Sequence, residues 1–343
     1  MSIVVSKYAE AQEYGTVYAY EITMGDFSAK ILSFGATWQS MTVPGRDGRK
    51  RDVLLGFDTL EGLLGGDYEG MVVGRYANRL SGAVTVNGKK YDLEKNENGV
   101  TCLHSAKEFS FVNWASRTVG EDTVELIHYS PDGAAGFPGR VEATVRYTLT
   151  ADGSMRIEYR AVSDKDTVLN FTNHAYFNLS GGGDILHHTM KINASAYVPV
   201  DRLNIPWGEI RPVAGTAFDF RAAKPLGQDM HAQDEQIQNA RGYDHNFCLD
   251  GEAGQLREAA VLRSEADGIT MTVLTDNPGI QMYTGNFLDM PGKGGAHMGA
   301  YAGVALETQY YPDTPNRPEF PQCTFKAGEV YHSVTEYRFS VDA

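Results

Sequence analysis

The stretch VRYTLTADGSMRIEY, residues 145–159, decides the fold class, because apolar and polar side chains alternate on both sides of Asp152-Gly153. Alternation with a period of two is typical of β-strands, and an Asp-Gly pair favours the tight turn of a β-hairpin. The stretch AVTV at 83–86 precedes Asn87-Gly88 in the same way, and a second alternating run follows it at 89–93. Each stretch therefore predicts an antiparallel hairpin.

Turn signals of this kind recur along the whole chain, which is typical of an all-β protein. The other pairs are Asp47-Gly48, Asp132-Gly133 and Asp267-Gly268. Helical periodicity is scarce, and its best candidate is the polar stretch 229–240, with Arg241-Gly242 as a stop signal. No linker, repeat or abrupt change of composition divides the chain. The sequence predicts one large antiparallel β-sandwich domain over residues 1–343, with a few short helices.

Composition limits the partners and the compartment. The 343 residues carry 30 Lys and Arg against 44 Asp and Glu, a net charge of −14. This acidic balance argues against nucleic acid or an anionic membrane as a partner. Cys102, Cys248 and Cys323 lie far apart, which predicts free thiols rather than a disulfide framework or a zinc site. The chain shows no basic leader and no apolar run of about 18 residues, so we expect a cytoplasmic protein.

The stretch VLNFTNHAYFNL, residues 168–179, predicts a strand with an unusual polar face. Alternation places uncharged hydrogen-bonding side chains on that face, where a solvent-facing strand normally shows Lys, Glu or Arg. They are Asn170, Thr172, His174, Tyr176 and Asn178. The pattern fits a partly enclosed cleft for a polar ligand such as a sugar, but taken alone it favours a buried hydrogen-bond network between sheets.

A second strand-like stretch, VALETQYY at 304–311, contains Glu307 as its one carboxylate. Such a residue either pairs with a cation across the sheet or acts as a base. Three further candidates, Arg79, His104 and Asp244, are each open to a structural or a functional interpretation. The chain lacks a His-Glu-x-x-His motif, a Walker loop and a Gly-x-Ser-x-Gly elbow, so metalloprotease, P-loop and serine-hydrolase chemistry have no support.

Six segments, in order along nearly the whole chain, resemble the signature blocks of the aldose 1-epimerase (galactose mutarotase) family. They are GRYANR (74–79), LH (103–104), TNHAYFNL (172–179), YDH (243–245), PGIQMYTGN (278–286), and LE (306–307) with the Pro and Asn residues that follow it. The resemblance implies the family's large supersandwich fold with an open sugar cleft. It also implies an isomerase that interconverts the α and β anomers of a free aldohexose such as galactose or glucose.

The same resemblance assigns roles to residues. It implies Glu307 as the general base and His174 as the general acid. It implies substrate binding by five residues, namely Asn78, Arg79, His104, Asp244 and Gln281. Proton transfer alone opens and closes the ring, so we expect neither a cofactor nor a metal. The expected partner is a small aldose, and the expected state is a monomer or homodimer.

One block departs from the family pattern, because Ser105-Ala106 follows His104 where the family usually shows Gly-Gly. Glycine tolerates backbone conformations that Ser and Ala resist, so we expect this loop to follow another path and either to shift the sugar preference or to weaken the activity. Two alternative functions remain. A hexose-6-phosphate 1-epimerase would need a basic cluster for the phosphate, which the acidic chain disfavours. A non-catalytic sugar-binding relative would not need the acid and the base.

Overall fold

The computed structural model describes residues 2–342, and most of the regular structure in that range is β. The largest sheet has nine antiparallel strands. In order across the sheet they are Ala115–Val119, Thr123–Ser130, Val141–Leu149, Met155–Ser163, Val330–Val341, Ile269–Thr275, Arg257–Ser264, Thr189–Ile192 and Lys224–Pro225. A six-stranded antiparallel sheet consists of Tyr176–Phe177, Val304–Gln309, Gly279–Tyr283, Asp244–Leu249, Ala194–Val198 and Arg211–Pro212.

Smaller sheets complete the architecture. A five-stranded antiparallel sheet contains Ser2–Ala11, Gly15–Met24, Phe27–Leu32, Trp38–Pro44 and Lys50–Asp52. The two-stranded pairs are Val72–Val73 with Thr172–Asn173, Arg79–Leu80 with Cys102–Leu103, Ala83–Val86 with Lys89–Asp92, Thr167–Val168 with Thr324–Phe325, and Met290–Pro291 with His297–Met298. The α-helices are Leu60–Gly65 and Glu235–Ala240. Single 3₁₀ turns cover His104–Lys107, Ala134–Gly136, Leu226–Asp229, Lys293–Gly295 and Thr314–Asn316.

The hydrophobic core lies between the sheets. Strand Val141–Leu149 of the nine-stranded sheet buries every second residue, as its sequence pattern predicts. Its buried side chains share one cluster with Ile280 and Leu306 of the six-stranded sheet. A hydrogen bond from the Tyr337 hydroxyl to the Leu306 carbonyl oxygen, 3.3 Å long, joins the same two sheets. The nearly all-β sandwich with few short helices is therefore confirmed.

Strand Val304–Gln309 is buried on both faces. Val304 and Leu306 point into the main core, and the Thr308 hydroxyl contacts that of Thr335 on the nine-stranded sheet. The side chain of Glu307 points the other way, because successive residues of a strand face opposite sides. One face of this strand thus holds the core while the other carries a polar site.

The local predictions have mixed outcomes. Both hairpins are confirmed, as Val141–Leu149 pairs with Met155–Ser163 and Ala83–Val86 pairs with Lys89–Asp92. The helix predicted at 229–240 is shorter, because Asp234 caps a helix that covers only Glu235–Ala240. Its predicted stop is confirmed, since Arg241 adopts a left-handed conformation with φ of 56°.

The single strand predicted at 168–179 is wrong. The stretch breaks into three two-residue strands that begin at Thr167 and end at Phe177, and each strand pairs with a different partner. Every residue from 167 to 179 is buried, so the alternation does not separate a core face from a solvent face. Cys102, Cys248 and Cys323 are buried free thiols. No helix within residues 2–342 is long and apolar enough to cross a lipid bilayer.

Candidate active site

A cavity of about 310 Å³ opens beside the six-stranded sheet. Six of the seven predicted site residues line it, namely Asn78, Arg79, His104, His174, Asp244 and Glu307. The seventh, Gln281, lies directly behind the wall, where its Nε2 donates to Asp244 Oδ1 over 2.7 Å. Asn78 and Glu307, which are 229 positions apart in the sequence, therefore line the same cavity.

The register of the sheet explains why three of these side chains meet. Glu307 lies opposite Gln281 on the neighbouring strand, and Gln281 lies opposite Asn246 on the next one. Asp244 lies opposite Tyr283 in the same register. Directly opposed residues in antiparallel strands point to the same face. Glu307, Gln281 and Asp244 therefore form part of one polar face.

The carboxyl group of Glu307 and the imidazole of His174 lie close together. The Glu307 Oε1 lies 3.7 Å from the His174 Nε2, and the Glu307 side chain is only 2% exposed. Burial raises the pKa of Glu307 above its usual 4.5, and Asp244 adds to the rise, whereas His174 and Arg79 oppose it. A carboxylate with a raised pKa is a stronger base than an exposed one.

Short backbone contacts hold His174 in place. Its amide N–H donates to the Met71 carbonyl oxygen over 2.9 Å, and its own carbonyl oxygen accepts from the Gly70 amide over 3.0 Å. The centroid of its ring lies 5.0 Å from that of the Tyr176 ring. The His104 ring packs edge to face against it, with the centroids 5.3 Å apart. The imidazole is thus fixed by packing, with its Nε2 beside the Glu307 carboxylate.

His104 is held by two reciprocal hydrogen bonds with Asn78. The His104 amide donates to the Asn78 carbonyl oxygen, and the Asn78 amide donates to the His104 Nδ1, both over 3.1 Å. An Nδ1 that accepts a hydrogen bond carries no proton, so the neutral ring carries its proton on Nε2. Burial lowers the pKa of His104 well below 6.5, and His174 and Arg79 lower it further. His104 is therefore a neutral hydrogen-bond donor.

The loop after His104 is left-handed although it contains no glycine. His104, Ser105, Ala106 and Lys107 have φ angles of 49°, 50°, 56° and 73°. The Ser105 hydroxyl accepts a hydrogen bond from the Tyr76 amide over 2.8 Å, a contact that glycine could not make. Ser105 and Ala106 therefore hold a backbone conformation of the kind that glycine favours, at a cost in strain. The path of this loop relative to the family stays a prediction.

Arg79 is enclosed by carboxylates. Its Nε and Nη2 donate to the two oxygens of Glu97 over 2.9 and 3.0 Å, and its Nη1 lies 3.6 Å from Asp244 Oδ2. Burial alone would lower the pKa of Arg79, but Asp244 and Glu97 outweigh it and raise the pKa above its usual value. Arg79 therefore stays charged in the cavity wall.

Sequence reasoning missed several residues of the wall. They are Asp67, Tyr68, Glu97, Leu103, Asn204, Tyr283 and Phe287. Leu103 and Tyr283 lie inside quoted blocks and Phe287 directly follows one, and that position is the signal that could have found them. Glu97 and Asn204 lie in loops that carry no such signal.

The polar residues between 170 and 178 divide between the two predicted roles, which are lining a cleft and forming buried hydrogen bonds. His174 and Tyr176 line the cavity. Asn170 and Asn178 instead form buried hydrogen bonds, Asn170 with the Ala77 carbonyl oxygen at 3.2 Å and Asn178 with that of Ala302 at 2.8 Å. The two asparagines therefore form buried hydrogen bonds to neighbouring segments, while the histidine and the tyrosine line the cavity.

The cavity also contains a cluster of metal-ligand type. Ligand atoms of His104, His174 and Glu307 lie within 4.8 Å of one another. Two histidines and a carboxylate are a donor set that zinc uses. However, a metal on His104 Nε2 would require the proton to move to Nδ1, which would break the hydrogen bond from the Asn78 amide. The hydrogen bonding therefore fits a hydrogen-bond donor at this position better than a metal ligand.

Comparison with known proteins places this geometry in context. The family model described as aldose 1-epimerase matches residues 18–338. A galactose mutarotase from Bos taurus is 43% identical over 334 residues, which cover 95% of each chain. An aldose 1-epimerase from Haemophilus influenzae is 41% identical over 317 residues, which cover 90% of this chain and 92% of that relative.

Solved structures agree with these relatives. A galactose 1-epimerase from Lactobacillus acidophilus superposes with a TM-score of 0.88 at 27% identity, over 100% of both chains. An aldose epimerase homologue from C. elegans has a TM-score of 0.86 at 30% identity, over 94% of this chain and 98% of that one. These similarities confirm the predicted galactose mutarotase-like fold.

Proposed function

This chain belongs to the aldose 1-epimerase family, and from that premise we propose that Glu307 and His174 interconvert the α and β anomers of a free aldohexose. The protein is an isomerase, as the sequence predicts. The observation that carries the residue assignment is the distance of 3.7 Å between Glu307 Oε1 and His174 Nε2 in the cavity wall. Galactose and glucose are the aldohexoses proposed as substrates.

The chemistry requires an acid and a base that are close together. The anomeric hydroxyl oxygen and the ring oxygen are bonded to the same carbon, so the two proton transfers take place side by side. A base and an acid separated by little more than one hydrogen-bond length can each reach one of these oxygens. Glu307 and His174 meet this requirement, and both are buried beside the cavity.

The proposed reaction moves two protons and breaks one bond. Glu307 takes the proton of the anomeric hydroxyl while His174 gives its proton to the ring oxygen. The bond between the anomeric carbon and the ring oxygen breaks, and the anomeric carbon becomes an aldehyde. After the aldehyde rotates, the ring oxygen attacks its other face, and both protons return along the same paths. The reaction needs no redox step and no group transfer.

The other predicted residues would hold the sugar. The Nε2–H of His104 is available to donate to a sugar oxygen, since its Nδ1 is already occupied. Asp244 can accept from a sugar hydroxyl, and Gln281 holds this carboxylate through a 2.7 Å hydrogen bond. The guanidinium of Arg79 lies beside Asp244 in the same wall. We propose that these groups grip hydroxyls away from the anomeric carbon, so that the aldehyde can turn.

The two alternative functions are less well supported. A hexose-6-phosphate would enter a cavity whose wall carries four carboxylates, and Arg79 is already paired with two of them. A non-catalytic sugar-binding protein would not need a buried base beside an acid. The relatives described above bear the names of mutarotases and epimerases. We retain the predictions of a cytoplasmic monomer or homodimer with no nucleic-acid or membrane partner.

Polarimetry tests this proposal. Fresh α-D-galactose or α-D-glucose is dissolved, and its optical rotation is followed with and without the protein. We expect the protein to accelerate the approach to the equilibrium rotation. If a folded sample, verified by circular dichroism, accelerates neither sugar, the proposed function is wrong for these substrates.

A further inference from the structure

Glu97 lies in the cavity wall and holds Arg79 by one edge of its guanidinium. Its two oxygens accept from Arg79 Nε and Nη2 over 2.9 and 3.0 Å, which is a bidentate pair. The Thr101 hydroxyl donates to Glu97 Oε2 over 2.8 Å and anchors the carboxylate from its own loop. Both charged side chains are largely buried, with exposures of 12% for Arg79 and 22% for Glu97.

This pairing fixes the position of the guanidinium. A bidentate pair between arginine and a carboxylate sets the plane of the guanidinium as well as its position. Because Glu97 occupies the Nε and Nη2 edge, Nη1 is the part of Arg79 that faces Asp244, 3.6 Å away. Glu97 therefore determines which N–H groups Arg79 can offer to a ligand.

The same pairing determines the charge that a ligand meets. Within the described chain, the cavity wall holds four carboxylates, on Asp67, Glu97, Asp244 and Glu307, against one Arg or Lys side chain. That side chain, Arg79, forms ion pairs with Glu97 on one edge of its guanidinium and with Asp244 on the other. A ligand with its own negative charge would find no unpaired cation here and would face like charges, which disfavours its binding.

We propose that Glu97 is a positioning and specificity residue, which aligns Arg79 for neutral aldoses and excludes aldoses that carry a carboxylate. This inference rests on the proposed function, because it concerns the substrate class of the same cavity. Glu97 does not take part in proton transfer. It acts through Arg79 and through its own charge.

The test compares a neutral aldose with its carboxylate analogue. The values of kcat and KM are measured by polarimetry for D-glucose and D-glucuronate, which at neutral pH differ mainly in charge. The wild type should strongly prefer D-glucose. In Glu97→Gln we expect the ratio of kcat/KM for D-glucuronate to that for D-glucose to rise about tenfold or more, because one carboxylate is removed and one edge of Arg79 is released. The KM for D-glucose should rise while its kcat stays near the wild-type value.

Two further variants separate charge from position. Glu97→Asp keeps the charge on a shorter arm, so it should keep the discrimination against D-glucuronate and still raise the KM for D-glucose. This variant tests the inference even if Glu97→Gln does not fold. Glu121→Gln is the matched control, because Glu121 is exposed in a turn and does not line the cavity. It should change neither ratio nor KM.

The outcomes are distinguishable from a failure of the proposed function. A wild type that does not accelerate D-glucose contradicts the proposed function itself. A wild type that accelerates both sugars equally overturns only the role of Glu97. An unchanged ratio in folded Glu97→Gln, or lost discrimination in Glu97→Asp, also overturns it.

Discussion

The Asn78 amide donates a hydrogen bond to the Nδ1 of His104 over 3.1 Å, and this bond gives the two histidines of the cavity different chemistry. It fixes the proton of neutral His104 on Nε2, and burial lowers the pKa of His104 well below 6.5. His104 is therefore suited to donate a hydrogen bond without transferring its proton. His174 Nε2, which lies beside Glu307, is left as the proposed proton donor.

Removal of metal ions should leave the activity unchanged. The hydrogen bond from Asn78 opposes metal binding at His104 Nε2, and the proposed proton transfers use only side chains. The measurement is the mutarotation rate before and after dialysis against EDTA, with metal content checked by mass spectrometry. An activity that disappears with EDTA and returns with zinc would contradict the tautomer assigned to His104.

The rate should fall on the acidic side at a pH above 4.5. Glu307 must be ionised to accept a proton, and burial raises its pKa above the usual 4.5, so kcat/KM is lost as the pH drops through that raised value. The measurement is kcat/KM for D-galactose from pH 4 to pH 9. An acidic limb centred at or below 4.5 would show that another group, or an unshifted carboxylate, controls the reaction.

Glu307→Gln should be more stable than the wild type at neutral pH. A buried carboxyl with a raised pKa binds its proton more tightly in the folded state than in the unfolded state, so its ionisation destabilises the fold. The penalty is absent below the unfolded value near 4.5, grows as the pH rises, and is complete above the folded pKa. Urea unfolding at pH 4 and pH 8 measures it. A stability difference that shrinks as the pH rises would contradict the assigned shift.

Ala106→Gly should stabilise the protein by about 1 kcal/mol, because a non-glycine residue in the left-handed region carries about that much strain. Ala106 has a φ of 56°. Ser105→Gly should gain less, since it also loses the 2.8 Å hydrogen bond to the Tyr76 amide. Chemical denaturation of both variants measures the free energy of unfolding. An Ala106→Gly variant less stable than the wild type would contradict this account of the loop.

Turn motifs and alternation in the sequence predicted the hairpins, but they did not predict the short strands that pair with residues far away in the sequence. Asn87 and Gly88 have φ angles of 52° and 76°, which suit the two central positions of a hairpin turn and are visible in the sequence. The stretch 168–179 fails as a single strand because its short pairings involve residues up to 156 positions away, as between Val168 and Thr324. Alternation of apolar and polar residues indicates an extended backbone, but it does not show with how many different strands that backbone pairs.

The candidate site likewise contains some residues that the sequence located and others that it did not. The resemblance located Glu307 and His174, and the structure brings them to 3.7 Å. No sequence pattern indicated Glu97, because its importance comes from a loop that returns 18 positions after Arg79 to meet its guanidinium. The stretch around Glu97 contains only polar residues and glycine, which predict a loop and nothing more.

The most direct test of the central claim is the mutarotation rate of α-D-galactose with the wild type, Glu307→Gln and His174→Gln. The account predicts that both variants fold and that each loses a factor of about 100 to 10,000 in kcat, the usual contribution of a positioned acid or base. It also predicts that Glu121→Gln, an exposed control, keeps the wild-type rate. A folded Glu307→Gln or His174→Gln variant that retains most of its rate would contradict the assignment of this pair.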